Sequence, residues 1–155
     1  TGGTFDKIFD EVGETMIFKE THLHEMLDLA KNKLDAKIET LMLIDSLHMQ
    51  DEDRKKILEE CNSCKEDRII ITHGTSTIIE TAKFLADGVK DKAIILTGAT
   101  VPYSFGKSDA LFNLGYAFGV IQLVEKGVYI AMNGKLFEWD NVKKNKDAAK
   151  FETVE

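Results

Sequence analysis

Two hydrophobic periods alternate along this chain, and they predict alternating strands and helices. Thr15–Phe18 is a short strand candidate. Glu20–Leu34 places Leu23, Met26, Leu27, Ala30 and Leu34 at helical spacing. Leu41–Ile44 reads as a strand, and Asp51–Cys61 as a helix with acids in its first turn and Ile57, Leu58 and Cys61 on one face. Arg68–Thr72 carries three consecutive isoleucines, the pattern of a strand buried on both faces. A helix over Thr77–Ala86, a buried strand over Ala93–Thr97, a long helix over Ser108–Glu125 and a strand over Val128–Met132 complete the series. Short buried strands separated by amphipathic helices imply one α/β domain. The expected architecture is three-layered and Rossmann-like or flavodoxin-like, a mostly parallel sheet with helices on both faces.

Composition narrows the partners. The 155 residues are the length of one domain, and 43% hydrophobic content suffices for a single core. A net charge of −7 with no clustered basic surface argues against nucleic acid, because phosphate binding needs such a cluster. Lys143–Lys146 is short and offset by nearby acids. No apolar run approaches the length of a membrane span, so no membrane association is expected. Cys61 and Cys64 form a C-x-x-C at the end of a predicted helix, where the dipole opposes thiolate formation. With His22 and His24 poorly spaced as further ligands, two reduced thiols in a cytoplasmic protein are expected, with no metal.

Ligands of open parallel sheets bind where strand ends feed into helices. Three glycine turns fit that position. Thr1-Gly2-Gly3-Thr4 opens the chain, and such a turn is expected to follow a buried strand upstream of Thr1. His73-Gly74-Thr75-Ser76-Thr77 follows the isoleucine strand, and Thr97-Gly98-Ala99 follows the next. Paired glycines let main-chain N–H groups face a ligand, and the threonines then present hydroxyls. Thr75 and Ser76 sit where a helix begins, so one of the two is expected to cap it. Gly106-Lys107-Ser108 mimics the end of a phosphate loop, but Val101 stands where that loop needs glycine. No G-x-G-x-x-G occurs, so no nucleotide cofactor is expected.

Together these motifs, with Glu80-Thr81-Ala82 and Phe112-Asn113-Leu114, resemble the bacterial-type L-asparaginase/glutaminase family. The resemblance covers its N-terminal domain and is nearest to the short single-domain asparaginase-like proteins. It implies a homo-oligomeric amidohydrolase acting on a small amide or amino acid, without cofactor. Residue by residue, it implies Thr4 as the nucleophilic threonine and Thr75 as the second catalytic threonine. The lysine bonded to that second threonine would be Lys144, or Lys143 if the register slips by one. Ser46 would grip the substrate carboxylate, with Gly3, Gly74, Ser76 and Ala99 completing the substrate site. Lysine burial lowers its pKa, and a neutral amine can take a threonine proton.

The chain departs from the family pattern at three places. Ser76 stands where the family has an aspartate that contacts the substrate ammonium, removing a charge-assisted bond of roughly 1.5–3 kcal/mol. Leu47 replaces the glutamine after Ser46. The lid tyrosine has no counterpart, since the first tyrosine is Tyr103, and Thr15, Phe18 and Thr21 cannot be given its role. These changes leave open a non-catalytic domain that binds a small acidic metabolite or serves in assembly.

Overall fold

The computed structural model describes residues 1–154. Its central sheet has four strands in the order β3-β4-β5-β6, built from β3 (Arg68–Thr72), β4 (Ala93–Thr97), β5 (Gly127–Met132) and β6 (Lys135–Glu138). The first three run parallel and β6 returns antiparallel. Two antiparallel hairpins lie outside this sheet. One pairs β1 (Lys7–Asp10) with β2 (Thr15–Phe18), the other β7 (Lys143–Asn145) with β8 (Lys150–Glu152). The fold is α/β as expected, but less parallel than the sequence pattern suggests.

Helices cover both faces. On one, Ile57 and Cys61 of α2 (Asp51–Ser63) and Ile78, Ala82 and Leu85 of α3 (Ile78–Ala86) pack on Ile94, Leu96 and Ile130. On the other, Ala117 of α4 (Ala110–Val120), with Ile121 just beyond it, packs on Ala93, Ile95 and Ala131. Strand β4 is buried at every residue, which is why its sequence is an unbroken apolar run ending in threonine. The strands advance in one direction across the sheet while α3 and α4 lie on opposite faces. The two crossovers are therefore of opposite hand, and one has the rare left-handed sense.

Several elements differ from expectation. Helix α1 spans only Leu23–Leu29, because Lys31 adopts φ 51° and closes it in a Schellman motif. Asn32 N donates to Leu27 O at 3.0 Å and Lys31 N to Asp28 O at 3.0 Å. The segment Leu41–Ile44 is not a strand; it makes one parallel bridge, Ile44 to Gly2. Beside it, a cavity of about 400 Å³ runs along the outer edge of β3, lined by Leu41, Ile69, Ile71, Leu114 and Phe118 among others. With that space between them, Leu41–Ile44 and β3 cannot pair. Strand β6 follows from Asn133 and Gly134, whose φ values of 53° and 76° make the left-handed turn that suits a two-residue hairpin.

Candidate active site

The three glycine turns converge at the carboxyl end of the sheet. Gly3 has φ 73°, and Gly3 N donates to Ile44 O at 2.9 Å. A β-carbon on Gly3 would stand 2.3 Å from Gly74 N, and one on Gly74 would stand 2.3 Å from Ser46 Oγ. One on Gly98 would meet His73 O at 2.4 Å and Thr75 Cγ2 at 3.1 Å. Main-chain atoms beside Gly3 and Gly98 and the Ser46 side chain beside Gly74 leave no room for a β-carbon, and this packing sets Thr4 and Thr75 on either side of the Gly3–Gly74 junction. Thr4 opens a short 3-10 turn, Thr4–Asp6, anchored by the fully buried Phe5.

The turns are held from behind by buried polar groups. Thr1 Oγ1 donates to Thr72 O at 2.5 Å, and His73 N donates to Thr97 O at 2.8 Å. His73 is buried and its Nδ1 lies 2.8 Å from Gly74 O, a bond that the protonated Nδ1 donates. Burial pushes the imidazole down to about 4, so His73 is a neutral support. Asn113, also buried, donates from Nδ2 to Gly98 O at 2.9 Å and accepts from Asn133 N at 3.0 Å. It thereby ties the third turn to the β5–β6 hairpin. Asp109 accepts from Thr100 N and Val101 N and fixes the loop leading to α4.

Lys144 comes from the β7–β8 hairpin, seated on the core by Val142 and Phe151. Its Nζ donates to Thr75 Oγ1 at 2.9 Å and to Thr75 O at 3.1 Å, and lies 5.8 Å from the centre of the Phe151 ring. Burial, with a smaller contribution from Lys146, lowers its pKa below the ordinary lysine value. Lys143 instead pairs with Glu152 and does not reach Thr75, which fixes the register that the sequence left open.

Ser46 is buried against Gly74, and among the described residues its hydroxyl has no partner. Its neighbour Asp45 pairs with Lys7 and accepts from Leu47 N at 3.0 Å. Burial would raise the Asp45 pKa, but the Lys7 bond, the Leu47 N–H and the charges of Lys7 and His48 hold it below the ordinary carboxylate value. Lys7 lies three residues beyond Thr4, so this pair joins the strand leaving the first turn to the Ser46 loop. A Lys–Asp pair 38 residues apart has no local signature, so sequence reasoning does not find it.

Ser76 is exposed, immediately after Thr75. Neither Thr75 nor Ser76 caps α3, contrary to expectation. Thr77 occupies the N-cap position, and its hydroxyl donates to Ser46 O at 2.9 Å, bracing the Ser46 loop. Ala99 is buried in a cluster with Phe5 and Met26. Tyr103 donates to Glu25 Oε1 at 3.2 Å, and its ring lies tilted against His22. Cys61 and Cys64 are free thiols, and burial pushes Cys61 up to about 12. Among the described residues no three His, Cys, Asp or Glu side chains gather as a metal site, and no helix is long and apolar enough to cross a membrane.

Comparison with known proteins bears on the family and the fold. Residues 1–155 match the family described as "Asparaginase, N-terminal". The chain is 36% identical over 134 residues to a probable periplasmic L-asparaginase of Haemophilus influenzae, covering 82% of this chain and 38% of that protein. Its structure resembles the thermostable L-asparaginase of Thermococcus kodakarensis, with a TM-score of 0.80 and 30% identity over 99% of this chain and 49% of that one. It likewise resembles a probable cytoplasmic L-asparaginase of Campylobacter jejuni, with a TM-score of 0.84 and 28% identity over 99% and 51%. The chain spans about half the length of these solved relatives. With its whole length matched and its turns converging as the motifs imply, the chain belongs to the asparaginase family, as that family's N-terminal domain.

Proposed function

We propose that this protein is an amidohydrolase that splits a small side-chain amide into its acid and ammonia through Thr4. The observation that carries this reading is the half-buried Lys144 ammonium bonded to Thr75 Oγ1, one residue from the Gly3–Gly74 junction. Once Lys144 has given up its ammonium proton, Thr4 Oγ attacks the amide carbon and the Thr4 proton passes through the Thr75–Lys144 pair to the departing nitrogen. Main-chain N–H groups of the glycine turns steady the oxyanion. Ammonia leaves, and water then opens the acyl ester with the same pair as base. The reading includes a homo-oligomer acting in the cytoplasm, supported by the two free thiols and by exposed Phe105 and Phe112.

Ammonia release from L-asparagine, L-glutamine and amides lacking the α-amino group tests this. Turnover of at least one, lost in Thr4→Ala, is expected. If no amide is split while small dicarboxylates still raise the melting temperature, the alternative of a non-catalytic acid-binding domain replaces it. That alternative is favoured by one observation, Ser76 where the family motif has a carboxylate.

We also propose that residues 1–155 form a single domain whose first strand lies upstream of Thr1, between Leu41–Ile44 and β3. Gly3 N already donates to Ile44 O and Ile44 N to Thr1 O, Thr1 Oγ1 bonds to Thr72 O, and Thr1 lines the cavity. A six-residue β-branched extension placed before Thr1 is expected to raise the melting temperature by at least about 5 °C over a Gly-Ser extension of equal length. Equal melting temperatures would show that the cavity is not a strand seat.

A further inference from the structure

The charges around the converging turns are unevenly matched. Three carboxylates bonded to these segments, Asp45, Asp6 and Asp109, are already engaged. Asp45 holds Lys7 and Leu47 N, and Asp6 accepts from Thr21 Oγ1 at 3.1 Å and His22 N at 2.9 Å. Asp109 accepts from Thr100 N, Val101 N and Asn113 Nδ2. Lys144 is the opposite case. Its hairpin neighbours Lys143 and Lys150 both reach Glu152, but among the described residues no carboxylate lies within 4.0 Å of Lys144 Nζ. Among the described residues its only polar partners are the two oxygens of Thr75, and the next side chain along, Ser76, is a neutral exposed hydroxyl.

From this unmatched ammonium we infer that the site takes the monoamide of a dicarboxylic acid that carries no α-ammonium group. This rests on the amidohydrolase reading above and names its substrate class. An amino-acid amide brings its own ammonium beside Lys144, where like charges repel and no carboxylate among the described residues pairs with the lysine to offset them. The same molecule without the amino group brings only its carboxylate, which the excess positive charge attracts. Specificity then comes partly from repulsion of the wrong substrate. Ser76 is the position that sets it, since a carboxylate there would give an α-ammonium a partner.

The experiment compares kcat/KM for ammonia release from succinamate, L-asparagine and butyramide with the full chain. Succinamate and L-asparagine differ only in the α-ammonium, and butyramide lacks the carboxylate. Succinamate is expected to lead each of the others by at least about tenfold. Ser76→Asp, at an exposed position, should narrow or reverse the succinamate preference over L-asparagine. Thermal shifts with succinate and aspartate read the same preference without turnover, with succinate stabilising more. L-Asparagine turned over as well as succinamate, or aspartate binding as well as succinate, overturns the inference and leaves the amidohydrolase reading standing. Butyramide matching succinamate overturns its carboxylate half. No ammonia from any of the three overturns the amidohydrolase reading instead, and this inference with it.

Discussion

Replacing Lys144 by methionine is expected to lower turnover about 10²–10⁴-fold, the span that a positioned proton acceptor contributes. The melting temperature should change little, because Lys144 is only half-buried and Phe151 and Val142 still anchor the hairpin. Lys144→Arg separates two roles for the ammonium. Arginine keeps the positive charge but cannot lose its proton at any working pH. If Lys144 acts as a base, the arginine variant is as inactive as the methionine variant. If it serves only to hold Thr75, arginine restores much of the rate. The pH profile gives the sign independently. Only the neutral amine accepts a proton, so activity must rise as pH climbs through the Lys144 pKa, which burial holds below the ordinary value of 10.5. Ser76→Asp places a carboxylate near the ammonium, stabilises the protonated form, and should move that limb to higher pH. An unmoved limb would place the titrating group elsewhere.

Gly3→Ala is expected to be the most damaging small change in the chain. Alanine there must hold a positive φ, and its β-carbon would press on Gly74 N, a main-chain atom that cannot rotate away. Strain and clash together should cost about 3 kcal/mol or more. At this chain length that lowers the melting temperature by roughly 6–12 °C. Activity should fall further than stability, since separating Gly3 from Gly74 separates Thr4 from Thr75. Gly115→Ala is the control. That glycine lies inside α4 with nothing within 4 Å of its β-carbon position, so alanine should be neutral or stabilise by about 0.5–1 kcal/mol. Circular dichroism melts of the two variants decide the matter; similar melting temperatures would contradict the close packing of the two turns.

Much of the frame was legible because its signals are local. The isoleucine run of β3, the apolar run of β4 and the spacing in α2 and α3 each declare one element, and all four appear at or within two residues of the expected bounds. Where the reading failed, a longer-range or subtler cause decided. Leu41–Ile44 has the composition of a strand but lacks a neighbour to pair with. Helix α1 stops early at a lysine in a left-handed conformation, a position usually signalled by glycine. Asn133-Gly134 did carry a hairpin signal in the sequence, and β6 could have been read from it.

The site divides in the same way. The glycine turns and their threonines were legible from motif and strand order, and Lys144 from family resemblance. Their convergence was not, because the Gly3–Gly74 contact joins segments 71 residues apart and the Lys144–Thr75 bond segments 69 apart. The supporting shell was also hidden. Neutral His73, buried Asn113, Thr77 at the N-cap and the Lys7–Asp45 pair act by holding backbone, and no motif announces that.

The most direct test of the account is to catch the acyl group on the protein. An amide that the protein turns over is mixed with the chain, quenched in acid during steady turnover, digested and mapped by mass spectrometry. The account predicts an acyl ester on the peptide that contains Thr4, absent in Thr4→Ala. An acyl ester on Thr75 instead, or turnover undiminished in Thr4→Ala, would contradict it.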